Sequence, residues 1–598
     1  MVETPENERN DAQIVVVGAG PAGLTAAYEL HQRGEKCLVL EKDAEIGGIS
    51  RTVRYKDFLF DIGGHRFFSK VSRVVEFWRE VLGPELLSRP RISRIFYNGH
   101  FFDYPLKPFN ALRGLGLWES ALCGISYAKA QMFPIKDERS FESWVINRFG
   151  FRLYRTFFKT YTEKVWGMSC REISADWAAQ RIKGLSLASA VRNAVFPDRS
   201  KVIKTLIETF EYPRKGPGMM WEHVAGAVSE SGTQVKLETA VEKIHWSDKR
   251  VHTVSYRRDD EISETPVSNL ISSMPLGELV QRMEPPAPAH VLQAASKLEY
   301  RDFLTVALIV DCAELFPDNW IYIHEPDVKV GRVQNFKNWS PHMVPDQSMT
   351  CLGLEYFCFE GDDLWTMGDD ELVRLGTEEA ARLGLVDKDA VVDGTVVRMP
   401  KAYPVYAGDY LKHVQTLRDF LGGFENIYPV GRNGMHKYNN QDHSMLAAML
   451  AVENIHGADY DLWEVNEEQQ YHEQVTTEES AATQLAALAS TQPRVPAGVN
   501  ADAKAPSPIR RLDKPALGAA FGVMGVVFVV TSALLFVQPG GTEFAPIALW
   551  RGIVWGFVSG FLSGWLLAYL HNIVLGVRHR LRPPHDNTVT EQPLLDFI

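Results

Sequence analysis

Gly18, Gly20 and Gly23, in the run IVVVGAGPAG, and Glu41 further on could together do one piece of chemistry. Glycines at this spacing let the backbone turn tightly and bring main-chain N–H groups against a pyrophosphate at a helix N-terminus. An acid about 20 positions on is placed to accept hydrogen bonds from ribose hydroxyls. The elements that must position them are present. The β-branched run Ile14–Val17 predicts a strand, LTAAYELHQRG predicts a helix, and CLVL predicts a second strand ending at Glu41. This is a βαβ dinucleotide fingerprint. Lys42 and a second glycine turn, Gly47–Gly48 with Ser50-Arg51-Thr52, follow at once, and DIGGHRFFSK closes the block with Gly64 and His65.

The chain of 598 residues is too long for one simple core, so two or more domains are expected. Hydrophobic content of 45% and charged content of 23% are those of a globular protein. The net charge of −12 argues against a general nucleic-acid binder. Six cysteines without a CxxC or metal-ligand spacing fit a reducing compartment, and no metal site is expected. The polar, acidic first residues do not form a signal-peptide pattern.

Composition divides the chain into a disordered tail (1–12), a globular region (13–465), a linker (466–512), a paired apolar segment (513–582) and a tail (583–598). Within the paired segment, Pro515–Val537 and Gly552–Val577 carry no Asp, Glu, Lys or Arg, and each is long enough to span a bilayer. They read as a transmembrane helical hairpin. Arg510, Arg511 and Lys514 before it and Arg578, Arg580 and Arg582 after it place both ends, and the globular region, on the cytoplasmic side of the cell membrane. Gly556, Gly560 and Gly564 suit close packing with the first span or with another protomer.

The second glycine turn just past Glu41 resembles that of the amine-oxidase-like flavoproteins, which implies FAD rather than NAD. Five further blocks narrow the resemblance. They are Arg91-Ile-Ser with Tyr104-Pro105; Phe141-Glu-Ser-Trp144 with Lys164-Val-Trp166, Trp177 and Arg181; Tyr212-Pro213 with Gly216, Gly218 and Trp221; Trp320-Ile-Tyr322 with Gly331-Arg332 and Asn338-Trp-Ser-Pro341; and Gly431-Arg432 with Tyr438 and Asn440-Gln-Asp-His-Ser444. In this order and spacing, residues 13–457 resemble the UDP-galactopyranose mutases, particularly the fungal-type branch.

The resemblance implies an isomerase that interconverts pyranose and furanose forms of a nucleotide- or lipid-linked sugar. Reduced flavin N5 attacks the anomeric carbon, the diphosphate leaves, the ring reopens and recloses, and net redox change is zero. It implies that His65 lies beside the flavin and, with Arg181 and Arg332, serves catalysis. The cofactor set would be Gly18, Gly20, Gly23, Glu41, Lys42, Gly47, Gly48, Arg51, Gly64, His65, Gly431 and Arg432. Arg181 and Arg332 would hold the diphosphate, for which a planar guanidinium fork is suited. Tyr322, Tyr403 and Tyr438 would contact it too. Tyr104, Lys107, Trp166 and Asn440 complete the expected substrate set.

The expected fold class is α/β. A Rossmann-type FAD-binding region (13–104) interleaves with a helical segment (105–200), a sheet and substrate region (201–415) and an FAD-closing segment (416–465). Leu304–Val310 and residues 351–359 read as strands of an antiparallel sheet covering the flavin. Three positions depart from the fungal pattern: Leu106 stands where it has an aromatic, and Lys107 and Thr162 stand where it has a glutamine and an asparagine near uracil. Such changes redirect base choice. Substrates considered are therefore a nucleotide sugar or a polyprenyl-linked sugar phosphate, with a membrane glycosyltransferase as a partner for the product. The alternative reading is an FAD-dependent oxidoreductase of the amine oxidase or desaturase kind. Arg91 matches a residue linked to nicotinamide binding, which implies NADPH as reductant, with an ordinary surface arginine the equal alternative.

Overall fold

The structure, a computed structural model, describes residues 12–104, 106, 108–175, 205–206, 209–466 and 474–475. Two sheets organise these residues. The first is built on the parallel strands Gln234–Lys236, Cys37–Leu40, Gln13–Val17, the C-terminal half of Glu261–Ser272, and Ile427–Pro429. Val15, Val16, Leu38, Val39, Leu270 and Ile271 are buried, as strands covered on both faces require. The helices Pro21–Gln32, Gly218–Glu230 and Gln441–Ile455 pack on one face in a single apolar core with Trp78 and Trp221. The N-terminal half of Glu261–Ser272 continues into an antiparallel layer with Arg250–Arg258 and Thr239–Ser247.

The second sheet runs Val391–Pro404, Tyr300–Val310, Thr350–Cys358, Arg332–Asn335, Trp320–Ile323, Ser93–Tyr97, His100–Asp103. All its pairings are antiparallel except that of Trp320–Ile323 with Ser93–Tyr97. Tyr300–Val310 and Thr350–Cys358, the two strands expected from sequence, are neighbours, second and third in that order, and all nine residues of the latter are buried.

The interleaving goes further than the sequence division predicts. Strands 93–103, assigned to the FAD-binding region, belong to the second sheet, while strands 234–284, assigned to the substrate region, belong to the first. The cause is long-range pairing: Ser93–Tyr97 pairs with residues more than 200 positions on, and no local pattern records that.

The helical segment is seen as Pro108–Met132, bent at Gly116 (φ +77°), then Phe141–Phe149, Phe151–Tyr154 and Thr160–Trp166. Ser140 caps the second by accepting a bond from Ser143 N at 3.2 Å, and Gly150 closes it at φ +81°. A π-turn at Arg155–Lys159 re-phases the chain before Thr160–Trp166. Among the described residues no helix is long and apolar enough to cross a membrane. The two apolar runs expected to form a hairpin, and most of the expected linker, lie outside the described residues, as do Arg181, Trp177 and Lys107.

Candidate active site

One cavity of about 610 Å³ runs between the two sheets, from the glycine turns to a cluster of arginines and tyrosines. At the first end, Gly18 holds φ +97°, and a Cβ there would lie 2.1 Å from Ser273 Oγ. A Cβ on Gly23 would lie 1.8 Å from Gly18 O, so the helix start can sit on the turn only because Gly23 has no side chain. The two glycine turns touch: Gly47 N donates to Ala19 O at 2.8 Å, and Gly20 faces Gly48. Glu41 is buried, and its carboxylate accepts from Ala19 N at 2.6 Å and Asp43 N at 2.9 Å. Burial pushes its pKa up, against those two bonds.

At the other end, the residues come from distant segments. Arg332 and Tyr322 are cross-strand partners on adjacent strands, and Arg332 is also paired in register with Glu355. Arg332 Nε and Nη2 both donate to Glu355 Oε2, at 2.6 and 2.5 Å. Glu355 is fully buried and takes a further bond from Gln334 Nε2 at 2.6 Å on Oε1. One carboxylate thus fixes one edge of the guanidinium and leaves Nη1 for another acceptor. The Glu355 charge, with nearby tyrosines, holds the Arg332 pKa well above its ordinary value against the effect of burial. Arg432 donates to two carbonyls, Asn439 O at 2.9 Å and Ala402 O at 3.0 Å, and lies over the rings of Tyr438 (4.7 Å) and Tyr403 (5.3 Å). Those two rings stack at 5.6 Å and 15°. Tyr322 contacts Tyr104 at 5.0 Å.

His65 sits between the ends. Burial, then the charges of Arg432 and Arg332, lower its pKa to about 3, so it is neutral at physiological pH. Its Nδ1 is buried without a hydrogen-bond partner. An orphaned ring nitrogen, a glycine cradle that a Cβ would fill and a buried acid at the end of the second strand fit a bound flavin dinucleotide.

Of the residues expected from sequence, Gly18, Gly20, Glu41, Lys42, Gly48, Gly64, His65, Tyr104, Trp166, Tyr322, Arg332, Tyr403, Gly431, Arg432, Tyr438 and Asn440 all line this cavity. Gly23 and Gly47 stand behind the lining and shape the turns. Arg51, expected to bind cofactor, is not among the lining residues and lies beside Asp43 (3.3 Å) and Glu45 (3.4 Å). Asn440, expected beside the sugar, stands at the N-cap of Gln441–Ile455, where its backbone N–H donates to His443 Nδ1 at 3.3 Å. Arg91 lies off the cavity, against Tyr104 O and the rings of Tyr104 and Trp320. Trp221 and Tyr212, which carry the resemblance, are structural: Trp221 Nε1 donates to Ser50 Oγ, and Tyr212 donates to buried Asp61 at 2.5 Å.

Sequence reasoning missed Glu355, although a lone acid in the apolar strand TCLGLEYFC is a legible signal. It also missed Tyr161 and His324, which line the cavity and stack at 4.9 Å and 8°. Burial lowers the His324 pKa to about 3. Among the described residues no group of His, Cys, Asp and Glu side chains is placed to hold a metal ion.

The solved structure of reduced UDP-galactopyranose mutase superposes with a TM-score of 0.66 at 21% identity, covering 77% of this chain and 98% of that one. Putrescine oxidase bound to putrescine superposes with a TM-score of 0.52 at 16% identity, covering 75% of this chain and 99% of that one. At these identities the likeness is one of fold. In sequence, the probable UDP-galactopyranose mutase of Klebsiella pneumoniae is 27% identical over 28% of this chain and 44% of its own length. The L-amino-acid oxidase of Sistrurus catenatus edwardsii is 32% identical over 19% of this chain and 25% of its own. The chain thus matches less than half the length of these curated relatives. The model of the flavin-containing amine oxidoreductases matches residues 21–436, and the cofactor that this family and the cavity indicate is FAD. The chain belongs to the flavin-containing amine oxidoreductase family.

Proposed function

We propose that the protein is an FAD-dependent isomerase of the UDP-galactopyranose mutase kind, exchanging the pyranose and furanose forms of a sugar carried on a diphosphate. The observation that carries this reading is the pairing of Arg332 with buried Glu355 at the tyrosine-rich end of the flavin cavity. Holding a guanidinium by one edge presents its other edge to a dianionic oxygen cluster, and Arg432 adds a second cation on the same wall. The reduced form of a flavin held here would supply a nucleophile for the anomeric carbon with no net redox change. The chain's own residues do the rest. Arg332, with Tyr322, Tyr403 and Tyr438, holds and neutralises the leaving diphosphate. Neutral His65 offers a ring nitrogen to the cofactor without adding a third positive charge.

The departures at Leu106-Lys107 and Thr162 favour a carrier other than a standard uridine nucleotide, and a polyprenyl diphosphate shares the same anionic chemistry. NADPH as the reductant, a membrane glycosyltransferase as the consumer of the product and a cytoplasmic-face membrane location through residues 513–582 complete the proposal.

A second reading is an FAD-dependent oxidase, and the L-amino-acid oxidase relative favours it. A protonated amine, however, meets two arginines at this end of the cavity. The oxidised holoprotein, mixed anaerobically with UDP-galactose, a polyprenyl-phosphate sugar, amines and L-amino acids, separates the two. The mutase reading expects tight binding of a diphosphate sugar with the visible flavin band unchanged. Bleaching of that band by an amine or amino acid would favour the oxidase.

A further inference from the structure

The helical segment that walls the cavity through Phe141, Phe158 and Tyr161 carries a second feature that the proposed chemistry does not use. Beyond the bend at Gly116, the helix ending at Met132 shows a row of large apolar side chains on its outer surface. Leu117 is 74% exposed, Trp118 71% and Phe133, just past the end, 73%. Ile125, Met132 and, at the start of the helix Phe151–Tyr154, Phe151 are exposed as well. Trp118, Ile125 and Met132 are seven residues apart, a spacing that drifts by only ~20° per step, so they form one stripe. At 1.5 Å per residue the stripe from Trp118 to Met132 is about 21 Å long, and Leu117 and Phe133 flank it on opposite sides. Monomeric soluble proteins rarely leave such a run open to water.

Charge identifies the occupant. Between Leu112 and Lys136 the exposed charged residues are Arg113, Lys129 and Lys136, all cations, in a chain whose net charge is −12. The one acid in that stretch, Glu119, is turned inward to Arg152 at 2.5 Å. Aromatic and aliphatic side chains flanked by cations are the composition of a helix lying in the headgroup region of an anionic bilayer. The two apolar runs at 515–577, each long enough to span a bilayer, place lipid within reach of this chain.

We propose that the Leu117–Phe133 face docks in the plane of an anionic membrane surface, as a contact separate from residues 513–582. It would hold the cavity wall at headgroup depth. This inference does not depend on which substrate the cavity takes.

Site-directed spin labels test it in the full chain, with half-buried Cys312 replaced by serine and the five buried cysteines kept. Labels go at Leu117→Cys and Phe133→Cys, and at Ile262→Cys, an exposed apolar position (56%) in a strand of the other sheet, as control. The protein is reconstituted in vesicles of phosphatidylglycerol with phosphatidylcholine, and of phosphatidylcholine alone. With phosphatidylglycerol, the 117 and 133 labels should gain oxygen collisions and lose nickel-chelate collisions several-fold, while the 262 label stays aqueous. Charge reversal by Lys129→Glu with Lys136→Glu should weaken that protection without changing flavin content. Labels at 117 and 133 as aqueous as at 262 would overturn the proposal. So would protection that rises with protein concentration and brings spin–spin broadening, which means a second copy covers the face. Equal protection without vesicles or broadening would also overturn it, since the chain's own residues then cover the face.

Discussion

The two ends of the cavity are built on different principles. At the glycine end the geometry is made by backbone within about thirty residues, and side chains matter mainly by their absence. At the arginine end, Tyr322, Arg332, Glu355, Tyr403, Arg432 and Tyr438 are gathered from the second sheet and the chain that returns to the first. The first end can hold a dinucleotide in any protein with this fingerprint. The second decides what is presented to it. Binding of cofactor and choice of substrate should therefore separate under mutation.

The largest effect should come from the backbone end. Gly23→Val puts a side chain where a Cβ alone would sit 1.8 Å from Gly18 O, and the protein should be recovered without flavin or not at all. The ratio of flavin to protein absorbance measures this, and a variant that keeps full flavin would break the division of labour. At the other end, Glu355→Ala leaves a buried guanidinium unpaired. It should cost about 3–5 kcal/mol in unfolding free energy, read by denaturant titration. Arg332→Ala should keep flavin yet weaken binding of a diphosphate sugar by about 2–5 kcal/mol, measured calorimetrically. Equal loss of flavin and sugar affinity would show that the two ends act as one. Tyr403→Phe keeps the stack on Tyr438 and removes only a hydroxyl, so its effect on the same affinity should be about 0.5–1.5 kcal/mol.

Buried ionisable groups give the comparison a pH signature. Asp61 is fully buried beside Tyr212 and Thr52, and burial raises its pKa to about 7. The folded state then holds a proton that the unfolded carboxyl has released. This group's contribution is therefore full below the unfolded pKa near 4 and is lost as pH rises to about 7, at up to about 1.4 kcal/mol per pH unit. His65 and His324, lowered to about 3, act with the opposite sign: stability falls as pH drops below the unfolded histidine value near 6.5. Asp61→Asn should remove its fall in thermal stability between about pH 4 and 7, and His324→Phe should reduce the slope below about pH 6.5.

These differences also explain what was legible in the sequence. The βαβ unit with its glycines and Glu41 could be read because each interaction is local: a strand, a turn, a helix, a strand. The strands Tyr300–Val310 and Thr350–Cys358 could be read from their apolar runs. Their neighbours could not, because Ser93–Tyr97 joins the sheet only through a partner at Trp320–Ile323. Arg332 and the tyrosines were reached through a resemblance, whereas nothing in their spacing shows that they meet. Asn440 and Arg51 show the converse. Both fall in motif positions, and a motif does not record that Asn440 also starts a helix or that Arg51 also pairs with Asp43.

The proposed rearrangement of a sugar in this cavity involves no net electron transfer. It is tested most directly by product analysis of the holoprotein under anaerobic conditions, with the flavin first reduced by dithionite and then left oxidised. UDP-galactose and a polyprenyl-linked sugar are offered in parallel. The account predicts that a furanose isomer of one of them accumulates over many turnovers with reduced flavin only, and that the flavin is still reduced at the end. No isomer from any diphosphate sugar, together with an oxidised product formed from an amine or amino acid by the oxidised enzyme, would contradict it.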